Sequence, residues 1–146
     1  VRMFKGKVGR ELLLWDSGAK RGEGRSKYEL LAEIASEAFM PVAFGGGIGN
    51  LRQVEKILKL GVEKVVINSA APENPSLITE IARQFGSQSV VISIDVRKRF
   101  GAYRVFTDGG KKATGIDPVS HAKRMAEAGA GEILITSIAK EGTSRG

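Results

Sequence analysis

Cysteine is absent from the 146 residues. That excludes disulfides and thiolate metal sites, and it suits a reducing, cytoplasmic setting. The single histidine, His121, cannot furnish a multi-histidine centre, so no metal site and no cofactor are expected. Aromatic residues are scarce at 6% and are not interleaved with basic ones, so the stacking platform of a single-strand nucleic-acid binder is missing. No apolar run approaches the roughly 20 residues needed to cross a bilayer, and the N-terminus leads into no signal-like segment. The expected protein is soluble and cytoplasmic, with neither nucleic acid nor membrane as partner. Long blocks of one charge are also lacking. The surplus of 23 Lys and Arg over 16 Asp and Glu gives +7, spread over faces and loops. Arg97-Lys98-Arg99 is the longest basic cluster, and Lys111-Lys112 is a shorter one.

What is present suits one globular domain over residues 1–146, with 42% hydrophobic and 27% charged residues. Five short apolar runs stand out: Leu12–Trp15, Pro41–Phe44, Val65–Ile67, Val90–Ile94 and Ile133–Ile135. They are near-continuous rather than alternating, as in parallel strands buried on both faces. Between them, apolar residues recur at helical spacing over 27–39 and 51–60, with Asn50 and Gln53 as a cap pair and Gly61 as the stop. Asn74-Pro75 and Asp117-Pro118 each place a cap residue before a proline, which opens a helix. Residues 103–114, centred on Asp108-Gly109-Gly110, read as an inserted β-hairpin. The order β-α-β-α-β-α-β-hairpin-α-β predicts a parallel α/β fold. A weak repeat of "RELLLWDSGAKRG" in "GEILITSIAKEG" hints at duplicated βα units.

In such folds ligands gather at the carboxyl ends of the strands. The residues following the five runs are Asp16, Gly45-Gly46-Gly47, Asn68-Ser69, Asp95, and Thr136-Ser137 with Glu141-Gly142 close behind. A polar group at each strand end can be an ordinary cap, yet neither Asp16 nor Asp95 is followed at once by a clear helix. The glycines before the helix at Leu51 would suit an anion, which backbone N–H groups and a helix N-terminus attract. They would equally suit close packing. At the opposite strand ends, Glu11, Lys64 and Glu132 each directly precede an aliphatic run. Solvated strand starts and an ion-paired ring at the bottom of a barrel both fit that spacing.

The strings "FGGGIGN", "GVEKVVINSAAPENPSLITEIARQFGSQSVVISID", "FTDGGKKATGIDP" and "GAGEILITSIAKEGT" resemble the cyclase subunit of imidazole glycerol phosphate synthase over nearly the whole chain. The resemblance implies a partial (β/α)8 TIM barrel, about strands two to six of eight, and a place in histidine biosynthesis. It implies an enzyme that takes ammonia from a glutaminase partner and acts on a bis-phosphorylated ribulosyl formimino carboxamide ribonucleotide. The products would be imidazole glycerol phosphate and an aminoimidazole carboxamide ribonucleotide. On this resemblance Asp95 matches the general acid/base. Gly46, Gly47, Asn68 and Ser69 match one phosphate site, and Asp16, Thr136, Glu141 and Gly142 fall at further substrate contacts. Glu11, Lys64 and Glu132 match three members of an ammonia gate.

There are departures: the family's "SIDRDGT" is "SIAKEGT" here, with Ala139 and Glu141 replacing aspartates, and "LDIT" is "WDSG". A full barrel needs roughly 250 residues, so this chain is expected to be inactive by itself. The strings "SEAFMPVAFGGGI" and "SIDVRK" resemble cyclase-like paralogues of surface-polysaccharide (lipopolysaccharide) gene clusters more than the housekeeping enzyme, which implies, as the alternative, sugar amidation with a glutaminase-type partner.

Overall fold

The computed structural model describes residues 2–5, 11–16 and 26–138. Glu141 and Gly142, and the replaced Ala139, lie outside the described residues. The elements run β1 (Arg2–Lys5), β2 (Leu12–Trp15), α1 (Lys27–Glu37), β3 (Val42–Gly45), α2 (Leu51–Lys59), β4 (Lys64–Ile67), α3 (Ala70–Glu73) and α4 (Pro75–Phe85). There follow a 3-10 turn (Ser87–Ser89), β5 (Val90–Arg99), β6 (Ala102–Thr107), β7 (Lys112–Ala113), α5 (Pro118–Ala128) and β8 (Glu132–Ser137). The parallel strands lie in the order β2-β3-β4-β5-β8. β1 adds to the β2 edge antiparallel. The sheet is open among the described residues, and the fold is a partial (β/α)8 barrel.

The near-continuous apolar runs resolve into two faces by strand alternation. One face (Leu14, Val42, Phe44, Val65, Ile67, Val90, Ile92, Ile94) joins the helices in the main core with Leu31, Val54, Ile57, Ile78, Ile81 and Met125. The other, inner face carries a small separate cluster of Ala43, Val66 and Val91, edged by Leu13, Trp15 and Leu134. Burying a residue such as Ile57 (1% exposed) contributes about 1.5–3 kcal/mol, so the helices are held by this packing far more than by propensity.

Local signals fix the helix starts. At α2, Gln53 N donates to Asn50 Oδ1 at 2.9 Å and Asn50 N donates to Gln53 Oε1 at 3.2 Å, the reciprocal cap anticipated from sequence. Ser26 and Glu29 form the same box at α1. Asp117 caps α5 by accepting from Ser120 N at 3.0 Å. Asn74 does not cap α4 through its side chain; its Oδ1 accepts from Ser76 Oγ instead, while Pro75 holds the first helical position.

Three features differ from the sequence expectation. β1 and the single turn α3 were not anticipated; both are four residues long, too short to carry a period. The hairpin expected at 103–114 is present as β6 and β7, but β6 pairs first with β5. Finally, β5 runs on to Arg99 rather than ending at Ile94. Val96 and Val105 continue the alternation into the main core, and β6 supplies hydrogen-bond partners along β5 beyond the end of β4. A charged "RKR" stretch thus remains strand because its backbone is paired.

Candidate functional site

A cleft of about 590 Å³ opens at the carboxyl ends of the parallel strands. Its floor is the inner-face cluster (Leu13, Trp15, Val66 and Leu134), and its polar groups come from the next residues up the same strands. Asn68 follows β4. Ser93 and Asp95 project from β5, and Thr136 is the register partner of Asp95 on β8. The β6–β7 turn covers one side with Asp108 and Gly109, anchored where Asp108 N donates to Ser69 Oγ at 2.8 Å. An apolar body with a few convergent polar groups is the ordinary make-up of a small-molecule site.

At its centre Asn68 Nδ2 donates to Asp95 Oδ2 at 3.2 Å and to Ser93 Oγ at 2.8 Å. Among the described residues no cation lies within ion-pair distance of Asp95. Half-burial pushes the Asp95 carboxyl above the usual carboxylate value, and the Asn68 hydrogen bond offsets only part of that rise. A carboxyl so placed can give and take a proton at an enclosed ligand. Asp95 lies within β5 rather than after it, which fixes its direction more firmly than a loop would.

The three glycines prove unequal. Gly45 packs against Trp15 and Val66, and a Cβ on Gly46 (φ 104°) would strike the carbonyl oxygen of Asp16. Gly46, expected at a phosphate, is buried and acts in packing. Gly47 (φ 74°) alone faces open space and lines the cleft. Its carbonyl accepts from Gln53 Nε2 at 3.3 Å, and Gly49 N donates to Gln53 Oε1 at 2.7 Å. The cap residue of α2 therefore also holds the glycine loop in shape.

The structure does not bring Asp16 to this cleft. Trp15 points inward, so alternation turns Asp16 to the helix side, where it is 9% exposed. Lys27 Nζ at the start of α1 lies 3.1 Å from its Oδ2, and Asp16 N donates to Gly45 O at 2.9 Å. Conversely, Ser93 and Trp15 belong to the cleft and were not singled out from sequence. The signal for Ser93 was its i−2 spacing from Asp95 on an otherwise aliphatic strand.

Glu11, Lys64 and Glu132 do meet. Lys64 Nζ lies 3.3 Å from Glu11 Oε2 and 3.2 Å from Glu132 Oε1. They stand at the starts of alternate strands (Glu11 just before β2, Lys64 in β4 and Glu132 in β8), whose inward side chains share a layer in barrels of this type. Burial by itself would lower the Lys64 pKa; the hydrogen bonds and charges of Glu132 and Glu11 outweigh it and hold the ammonium above its usual value. The aliphatic floor of the cleft separates this cluster from Asp95.

Residues 1–146 match the family described as histidine biosynthesis protein. The chain belongs to that family. It is 41% identical over 147 residues, all of this chain, to imidazole glycerol phosphate synthase subunit HisF of Alkaliphilus metalliredigens. It is 44% identical over 144 residues, 97% of the chain, to the subunit of that name in Dictyoglomus thermophilum. A Pseudomonas aeruginosa protein whose name, imidazole glycerol phosphate synthase subunit hisF2, is given as provisional is 48% identical over 147 residues, the whole of this chain. The chain covers 59%, 58% and 57% of the Pseudomonas, Alkaliphilus and Dictyoglomus proteins. These names favour the histidine pathway and lend nothing to the polysaccharide alternative. No helix among the described residues is long and apolar enough to cross a membrane.

Proposed function

We propose that the whole protein is the cytoplasmic cyclase subunit of imidazole glycerol phosphate synthase. In this reading it uses ammonia to convert the bis-phosphorylated ribulosyl formimino carboxamide ribonucleotide to imidazole glycerol phosphate and the aminoimidazole carboxamide ribonucleotide. The observation that carries the reading is Asp95, a half-buried carboxyl without a cationic partner among the described residues, hydrogen-bonded to Asn68 in a cleft at the strand ends. Asp95 moves protons as ammonia attacks and the ring closes, and Asn68 holds the carboxyl in place. Gly47, in the loop before α2, and Ser69, just after β4, receive one substrate phosphate, and Thr136 contacts the ligand from β8. Glu141 and Gly142, outside the described residues, belong to the same proposal as substrate contacts.

At the opposite end, the Glu11–Lys64–Glu132 cluster is the entry for ammonia delivered by a glutaminase subunit. The floor of Leu13, Ala43, Val66, Val91 and Leu134 leads from there to Asp95 and offers an ammonium ion no counter-charge, so it favours the neutral molecule. The test is turnover of the full-length protein with ammonium salts as nitrogen source. Asp95→Asn is expected to lose about 10²–10⁴-fold in rate while still binding substrate. Turnover equal to that of the unchanged protein would reject the role of Asp95.

A further inference from the structure

The basic cluster Arg97-Lys98-Arg99 is not used by the chemistry above, and its first member occupies a telling position. Across the antiparallel β5–β6 pair, Asp95 is opposite Phe106 and Arg97 is opposite Arg104. Opposed residues in such a pair share a face, so Arg97 projects from the face that carries Asp95, two residues further along. It does not extend away from the cleft. Its guanidinium carbon sits 4.7 Å from the centroid of the Phe106 ring, folded back toward the level of Asp95. A Cβ on Gly110 would lie 3.8 Å from one Arg97 Nη and 3.3 Å from Ile138, a cleft-lining residue. The guanidinium therefore stands just outside the lining of the cleft, behind the rim formed by Gly109 and Ile138.

Its charge is left uncompensated there. Among the described residues no carboxylate lies within ion-pair distance of Arg97, and its Nε is buried without an acceptor. Directly opposite is a second arginine, and like charges so placed destabilise a strand pair. Arg104 has its own outlets, a 2.8 Å bond to the Tyr103 carbonyl and the nearby charge of Asp117; among the described residues Arg97 has only the aromatic face. A guanidinium stacked on an aromatic ring keeps its edge N–H groups available for an oxyanion in fork geometry.

We infer that Arg97, held on Phe106, binds a phosphoryl group of the molecule that occupies the cleft. The choice of a phosphoryl group over other anions rests on the proposed function. The geometry that calls for an anion does not.

The test is a titration of the full-length protein with inorganic phosphate, following the Arg97 Nε–H resonance, which is assigned by its loss in Arg97→Lys. A saturable shift of that resonance is expected. Arg97→Gln should weaken phosphate binding, and the Michaelis constant for the cyclase substrate should rise, each by about tenfold or more, with a smaller change in kcat. Arg97→Lys should retain part of both, and Asp95→Asn should tighten phosphate binding by removing a nearby negative charge. A resonance unmoved at saturating phosphate, or an Arg97→Gln protein with unchanged melting that binds phosphate as tightly as before, would overturn the assignment. A responding resonance in a protein with no cyclase turnover would defeat the cyclase reading and leave the anion site standing.

Discussion

The two ends of the inner sheet face are built from the same strands, yet they treat charge in opposite ways. At the N-terminal ends, Lys64 is shared by two carboxylates at 3.2 and 3.3 Å, so each described charge has an opposite partner. At the C-terminal ends, among the described residues, Asp95 has an amide and no cation, and Arg97 has a ring and no anion. Between them lies an aliphatic layer. Charges are paired where the strands begin and left available where the cleft opens. Protein interiors tolerate unpaired charge where a ligand or a proton will complete it.

The largest effect that should separate the two ends is on turnover, which Asp95→Asn is expected to abolish by the orders of magnitude given above. Lys64→Met, by contrast, should slow supply of ammonia from glutamine and leave turnover on added ammonium salts largely intact. Equal losses on both nitrogen sources would erase the distinction between gate and cleft.

Next in size is the glycine run. Gly46→Ala should cost about 3 kcal/mol, since it combines a disfavoured φ with a backbone clash. Gly47→Ala should cost about 1 kcal/mol and show its effect in phosphate affinity instead. Denaturant melts of both variants check this, and similar losses would mean that Gly46 and Gly47 do not divide packing from binding.

Smaller still is the worth of the charge cluster. Its members are partly exposed, so Lys64→Met should reduce stability by about 1 kcal/mol, shrinking as salt is added. A loss insensitive to salt would argue against an electrostatic origin.

The smallest effect is a gain. Because the folded Asp95 pKa lies above the ordinary 3.8, the folded state binds more protons than the unfolded one between those two values. Stability contributed by this group therefore falls as pH rises through that window. Asp95→Asn should be slightly more stable than the unchanged protein at neutral pH, and the gap should close as pH drops below the ordinary carboxylate value. A gap that widens in acid would reverse the sign of the shift.

Much of this was legible in the amino-acid sequence. Aliphatic runs such as Val65–Ile67 mark strands buried on both faces, and Asn50 with Gln53 marks a helix start, because in each case the determinant is local. The meeting of Glu11, Lys64 and Glu132 was legible as one of two possibilities, since each stands at the same place in its own strand. What was hidden depends on pairing. The extension of β5 through Arg99 rests on β6, which arrives later in the chain. The turning of Asp16 toward Lys27 follows from strand alternation, which near-continuous runs conceal. Arg97 read as part of a solvated basic cluster because nothing local shows that Phe106 will lie beside it.

The most direct test of the contrast between the two ends is the titration of the Asp95 carboxyl, followed by carbon NMR in the unchanged protein and in Asn68→Ala. A pKa above the ordinary carboxylate value is expected, rising further when the Asn68 donor is removed. A value at or below the ordinary one, or no response to loss of Asn68, would contradict it.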